Sequence, residues 1–286
     1  YVGRVDPLQY WSVGFEANTL NYFGDIAPTS KRLFSTNLKN TRPGLGVVVN
    51  RRFSGFFSVR SEFFWGRIAA ADSTTGMDGN NIFRYARNLS FRNDIYELDI
   101  VGVIDFVHTG HYTLRPKIVP YFFAGIGFFT HNPKAKVPNA YYNFKGELID
   151  PGPDQGKWVS LRNLETEGPP VYSRFQIAVP IGLGVRFKLN NQTDLSFEMG
   201  YRQTFTDGLD DIVDKWPEEA YFTDNDLGKI MSDRSQELAG RNLSPQEREK
   251  LAGMAGMFGN ELRGGLGFDT YLVSSFKLTF ILGTKK

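Results

Sequence analysis

The sequence predicts an all-β fold, a transmembrane up-and-down antiparallel β-barrel of eight strands with a helical insertion in its last extracellular loop. Three observations predict it. Apolar residues alternate with period two over segments of roughly ten to sixteen residues, well beyond the five or six of an ordinary globular strand. The number of such segments is even, and their connections alternate between tight and long, as in a barrel with periplasmic turns at one end and surface loops at the other. The longest uncharged window, between Lys117 and Lys134, contains Pro120, Gly125, Gly127 and Pro133, so no apolar helix of membrane-spanning length can be drawn.

Each strand carries its own alternation. In the first, about 10–23, Trp11, Val13, Phe15 and Ala17 oppose Ser12, Gly14, Glu16 and Asn18. The second, 42–51, sets Leu45, Val47 and Val49 against Gly44, Gly46 and Asn50. The third, 55–67, sets Phe57, Val59, Phe63 and Trp65 against Ser58, Arg60, Glu62 and Gly66. In the fourth, 92–106, Tyr96, Leu98, Ile100, Ile104 and Phe106 face away from Asn93, Glu97, Asp99 and Asp105. The fifth, 117–130, is apolar on both sides but places Gly125 and Gly127 on one, as a narrow lumen requires. The sixth, 173–188, is the clearest, with Phe175, Ile177, Val179, Ile181, Leu183, Val185 and Phe187 on one face. The seventh, 194–206, and the eighth, 269–282, repeat the pattern with Leu195, Phe197, Met199 and Tyr201, then Leu272, Phe276, Leu278, Phe280 and Leu282. A soluble barrel of this size points its apolar face inward. Here the face opposite the apolar one carries the small and charged residues, so the apolar face must point out to lipid.

Composition agrees. Glycine numbers 30, where average usage of about 7% would give roughly 20, and aromatic residues reach 15%. Lys plus Arg number 33 against 31 Asp plus Glu, a net +2, so no nucleic-acid partner held by a basic surface is expected. The lack of cysteine removes disulfides, thiol catalysis and thiolate metal sites. The whole chain, 1–286, reads as a single outer-membrane barrel domain. Outer-membrane lipid is the expected surrounding, and the bacterial outer membrane after signal-peptide cleavage the expected place.

The inward set supplies a candidate lumen plug: Glu16, Glu62, Glu97, Asp99 and Glu198 against Arg60, Arg174, Arg186, Arg202 and Lys277. An eight-stranded barrel is just wide enough for side chains to fill, and charges confined there persist only when paired. A rigid salt-bridged plug, and no diffusion pore, is the expectation. The tight connections lie around Phe53-Ser54, Thr109-Gly110-His111 and Asn190-Asn191-Gln192. Arg52, His108, His111 and the terminal Lys285 and Lys286 are expected to make periplasmic contacts.

The long connections run near 24–41, 68–91, 131–172 and 207–268. The last holds a helical insertion over 222–262: Asp226 caps a helix through about Ala239, and Ser244-Pro245-Gln246-Glu247 opens another to about Phe258, closed by Gly259. Its apolar residues Leu251, Met254, Ala255 and Phe258 share one face, for docking on the barrel rim or on a partner. At the root of this loop stands an acidic cluster, Asp207, Asp210 and Asp211, with Asp224 and Asp226 further on. Clustered carboxylates beside glycine suit calcium, but the spacing of a known loop is missing, and a solvated acidic rim or local turn is expected. His108 and His111 would need two more ligands to hold a metal. His131 is the sole histidine on the outer side, and an enzyme would use it with Asp207, Asp210 or Ser173 for lipid modification or hydrolysis. No catalytic, metal or cofactor site is expected.

The blocks NYFGDIAP from Asn21, RPGLGVVVNRRF from Arg42, RNLSFRNDIYELDI from Arg87, PYFFAGIGFFTHNPKA from Pro120, KWVSLRNLETEG from Lys157, AVPIGLGVRFKL from Ala178 and FTDGLDDI from Phe205 together resemble the PorG-like outer-membrane barrel family of Bacteroidota. The resemblance runs in order from about residue 12 to 213. It implies a non-enzymatic barrel that anchors part of a type IX secretion complex, exporting protein and in some members supporting gliding motility. The implied partners are a periplasmic ring lipoprotein or translocon subunits. Two features depart from the family: Gly208, where an aromatic is expected, and the helical insertion.

Overall fold

The computed structural model describes residues 9–26, 41–77, 79, 81–169, 171–213, 215–256, 258–259, 263–264 and 267–282. Eight long strands form β1 (Trp11–Phe23), β2 (Arg42–Arg52), β3 (Phe57–Ala71), β4 (Ser90–Asp105), β5 (Ile118–Thr130), β6 (Phe175–Lys188), β7 (Thr193–Thr204) and β8 (Thr270–Leu282). Each pairs antiparallel with its chain neighbour, and β8 returns to β1, with Trp11 opposite Leu282 and Phe23 opposite Thr270. Closure removes the edge strands, whose unpaired N–H and C=O groups hydrocarbon cannot satisfy. No helix among the described residues is long and apolar enough to cross a membrane.

The strands fall close to the expected segments. The largest difference is in β3, which continues to Ala71 rather than ending at 67. Alternation fades over Ile68-Ala69-Ala70 because all three are buried where outer loops cover the strand. β6 starts at Phe175, not 173, and β7 ends at Thr204, not 206.

Side-chain parity sorts the barrel wall. Phe15, Leu45 and Leu183 point outward and are 66, 64 and 59% exposed, which only a hydrocarbon surrounding makes favourable. On β3 the outward set runs from Phe57 to Trp65, interrupted by Ser61. That is about 27 Å along the strand and roughly 20 Å of height at the usual tilt, close to the apolar band of about 25 Å in membrane barrels. The inverted polarity, apolar outside and charged inside, is that of a barrel spanning a bilayer.

The turn 53–56 and the turn 189–192 are tight. The connection 106–117 is longer than expected and holds a 3-10 turn at Tyr112–Leu114. The outer loops carry α1 (Asn81–Arg87), α2 (Leu161–Leu164), α3 (Asp226–Ser232) and α4 (Pro245–Ala252). Two short strands, Lys134–Lys136 and Trp158–Ser160, extend the sheet beyond the outer end of β4.

The helical insertion is shorter in its pieces than expected. α3 is capped by Asn225, whose side chain accepts from the Gly228 N–H at 2.9 Å, rather than by Asp226, and a 3-10 segment Ser235–Gly240 replaces its second half. α4 has the expected capping box between Ser244 and Glu247. It ends at Ala252, with Gly253 as its cap, instead of reaching Phe258, and Gly256 beyond it takes a left-handed φ of 83° that glycine accommodates without strain. Leu251 and Met254 pack with Ala86, Leu238, Tyr85 and Phe144, so the apolar face docks on the barrel's own loops. Phe258 meets Phe222 with ring centroids 5.8 Å apart. Residues 257 and 260–262 of this segment, and Lys285 and Lys286, lie outside the described residues.

The main apolar cluster lies at the outer mouth. Leu20, Phe64, Ile68, Phe91, Ile95 and Phe129 of the strands meet Leu161, Leu209, Ile212, Trp216 and Met231 of the loops. The loops fold down as a lid over the lumen.

Candidate functional site: a filled lumen and its cap

Inward parity brings charges from seven strands into one column. The middle tier is built on Glu198 of β7. Arg60 Nη2 donates to it at 2.9 Å and Lys277 Nζ at 2.8 Å, and the Tyr121 hydroxyl also donates to it. Lys277 reaches Glu16 at 3.3 Å and bonds Glu62, which Arg60 also contacts. One tier higher, Arg202 donates from Nε to Glu97 at 3.0 Å and from Nη2 to Asp99 at 2.8 Å, and Tyr271 donates to Glu97. These eight charged side chains are at most 5% exposed. Gly46 and Gly127 make room: a Cβ at Gly127 would sit 2.3 Å from Asp99 Oδ1, and one at Gly46 2.7 Å from Glu16 Oε1.

The expected equality of five acids and five bases is corrected at both ends. Arg174 precedes the first residue of β6 at the outer rim, is exposed, and donates to Asn163 at 2.7 Å, so it is no part of the plug. A basal tier was missed. Arg52 is 1% exposed and donates to Asp105 at 2.5 Å and to the carbonyls of Ser54 and Gly55, while Arg186 reaches the same carboxylate at 3.0 Å. Arg115 pairs with Asp194 at 2.7 Å. Arg52 therefore seals the tight-turn end of the lumen from within, and its side chain is not exposed for a partner as expected. Strand parity already placed Asp105 and Arg186 inward, and continued one residue past the expected end of the second strand it places Arg52 there too; Arg115, the partner of Asp194, comes from a turn, where parity gives no guide. Among the described lumen residues, seven carboxylates (Glu16, Glu62, Glu97, Asp99, Asp105, Asp194, Glu198) face six cations (Arg52, Arg60, Arg115, Arg186, Arg202, Lys277). The acids exceed the bases by one, yet each carboxylate touches a cation, the condition under which such burial is tolerated, and the column is a packed interior.

His108 and His111 do not converge. The His108 ring lies edge-on to Phe56 at 4.9 Å, while His111 Nδ1 accepts from the Thr113 N–H at 3.2 Å.

The acidic root of the last loop is buried rather than solvated. Asp210 and Asp211 are 1 and 3% exposed. Asp210 accepts from the Ile26 and Ile212 N–H groups at 3.2 and 3.0 Å. The Tyr22 hydroxyl lies 2.6 Å from Asp210 Oδ2 and 2.7 Å from Asp269 Oδ1. One phenolic proton cannot serve two carboxylates, so one carboxyl of this pair carries a proton. Burial first, then repulsion from Asp25 on Asp210 and from Asp210 on Asp269, holds both well above the ordinary carboxylate range. Asp211, with a left-handed φ of 72°, binds Thr166 and the Tyr172 hydroxyl, and burial raises it to about 6 against the pull of Arg263. Asp207 is half-buried at the same turn. No group of three metal-ligating side chains is present among the described residues. Cavities of about 10 and 20 Å³ beside Asp211 are room for about one water each.

His131 is 2% exposed. Its Nε2 lies 3.0 Å from the Ser173 carbonyl, which can only accept, so Nε2 carries the hydrogen and Nδ1 takes the Asn93 amide at 3.4 Å. The ring stacks on Tyr172 at 5.6 Å, and burial lowers its pKa to about 4. Ser173 contributes its carbonyl rather than its hydroxyl, and neither Asp207 nor Asp210 is among the ring's hydrogen-bond partners. The geometry is that of a neutral strut pinning the outer end of β6 to β4, and it lends no support to a catalytic base.

Residues 6–143 match a family model described as a domain of unknown function (DUF6089). No curated protein matches. Among solved structures, OprG from Pseudomonas aeruginosa is similar at 9% identity and a TM-score of 0.41, covering 96% of each chain. The Neisserial surface protein A gives 8% identity and 0.40, covering 94% of this chain and 96% of the other. Ail, the attachment invasion locus protein of Yersinia pestis, in complex with the heparin analogue sucrose octasulfate, gives 8% and 0.36, covering 96 and 97%.

Proposed function

We propose that the protein is a non-enzymatic barrel of the bacterial outer membrane that anchors part of a type IX secretion complex. The observation that carries the non-enzymatic, non-conducting half of this reading is the stack of buried ion-paired tiers from Arg52 to Arg202, covered by the loop lid. A barrel filled by its own side chains has no path for solute and serves as a rigid post. The secretion role is supported by the seven ordered sequence blocks shared in kind with PorG-like barrels.

The post presents exposed apolar groups at its turn end, Phe53, Phe56 and Phe106 with His108 beside them, where a periplasmic ring lipoprotein would bind. The test is purification of the native protein from membranes in mild detergent, with mass spectrometry of what stays attached. Recovery of ring or translocon subunits, lost on replacing Phe56 and His108 by alanine, is expected. A partner-free barrel would overturn the anchor.

A further inference from the structure

The outward wall carries one cationic patch that neither the lumen nor the lid uses. Parity puts Arg67 of β3 and Arg92 of β4 on the lipid-facing side, above the aromatic pair Trp65 and Tyr96, which are directly opposite each other in the β3–β4 register. Arg67 is one outward position above Trp65, and Arg92 faces Ala69 one position higher still. Each step rises about 7 Å along the strand, so the two guanidinium groups stand just beyond the apolar band, at headgroup level. Lys134 pairs with Arg92 across the sheet, and Lys136 pairs with Trp158. The Arg92 guanidinium lies over the Trp158 ring, 3.8 Å from its centroid.

Charge there is unbalanced. Asp94 is committed to Arg67, at 2.7 and 3.2 Å. Among the described residues, Arg92, Lys134 and Lys136 have no carboxylate within ion-pair distance, the nearby Asp94 being bonded to Arg67, and Arg92 Nε meets no acceptor. A cation held in place by an aromatic ring at a bilayer surface, with two lysines beside it, is complementary to an anionic headgroup.

We propose that Arg67, Arg92 and Lys134, with Trp158 fixing Arg92, form a binding site for the phosphate of an outer-leaflet lipid. The apolar wall below takes the acyl chains and the cations take the phosphate. This rests on the outer-membrane reading above, and not on the secretion role. A free anion would find no use for the apolar wall, so the lipid is the occupant.

The full-length protein would be reconstituted in nanodiscs of phosphatidylcholine with a minor share of lipid A, and the lipid it retains weighed by native mass spectrometry. Phosphorylated lipid A should be enriched over dephosphorylated lipid A. The Arg67→Gln/Arg92→Gln/Lys134→Gln variant should lose at least about tenfold of that enrichment, given the usual worth of a surface cation at an anionic bilayer. Asp94→Asn should raise it. Equal retention by wild type and triple variant overturns the proposal, as does displacement by inorganic phosphate alone at lipid-equivalent concentration. A heat-modifiable gel shift confirms that each variant is a closed barrel; if the triple variant fails it, Arg92→Gln alone is read the same way. Failure of the wild type to insert at all would overturn the membrane reading together with this one, whereas insertion without lipid preference overturns only this one.

Discussion

At the scale of the residue, His131 shows how environment decides chemistry. Exposed, it would be half-protonated near its ordinary pKa of 6.5; buried between Tyr172 and Phe129, it is held down to about 4. The unfolded chain therefore binds a proton that the folded chain refuses between those values, and local stability falls as pH drops from 6.5 towards 4. The loss reaches about 3 kcal/mol. Asp211 acts with the opposite sign: raised from 3.8 to about 6, it favours the folded lid at low pH and weakens it as pH rises through that window. Hydrogen exchange at the His131 and Asn132 amides, which donate to the Arg174 carbonyl and Asn93 Oδ1, should accelerate beyond its intrinsic pH dependence on acidification below 6.5. His131→Gln should remove that acceleration and leave only the reverse trend from Asp211. An unchanged profile in the variant would show that the imidazole does not gate this corner.

At the scale of the element, the insertion separates what local signals decide from what packing decides. The capping box at Ser244 and Glu247 and the proline at the first helical position were legible as a helix start, and α4 begins there. Its end was not legible, since the apolar face continues through Met254 and Phe258 after the backbone leaves the helix at Gly253. Local energetics also set the size of the expected effect. Ser244→Ala removes one capping bond, worth about 1 kcal/mol. Amide exchange in α4 should rise about fivefold while β1–β8 are unaffected. Loss of the folded barrel in this variant would mean that the insertion supports closure, which its contacts with α1 and the loop around Phe144 do not suggest.

At the scale of the whole molecule, the filled column predicts a silent barrel. Reconstituted in planar bilayers, the protein should give no stepwise conductance, because ions would have to displace Arg60, Lys277 and Glu198 from one another. Steady channel openings would show that the plug moves.

The barrel was readable from the sequence because a period of two fixes which side chains share a face, and the reversed polarity of the faces then says that lipid lies outside. Strand number, parity and most of the plug, Glu16 to Lys277, follow from that alone. Tertiary structure decided the rest. Whether Arg174 enters the lumen, whether Arg52 closes it, and whether Asp210 is solvated depend on where chain ends and loops come to lie. Those positions are set by long-range burial, which carries no periodic mark along the chain.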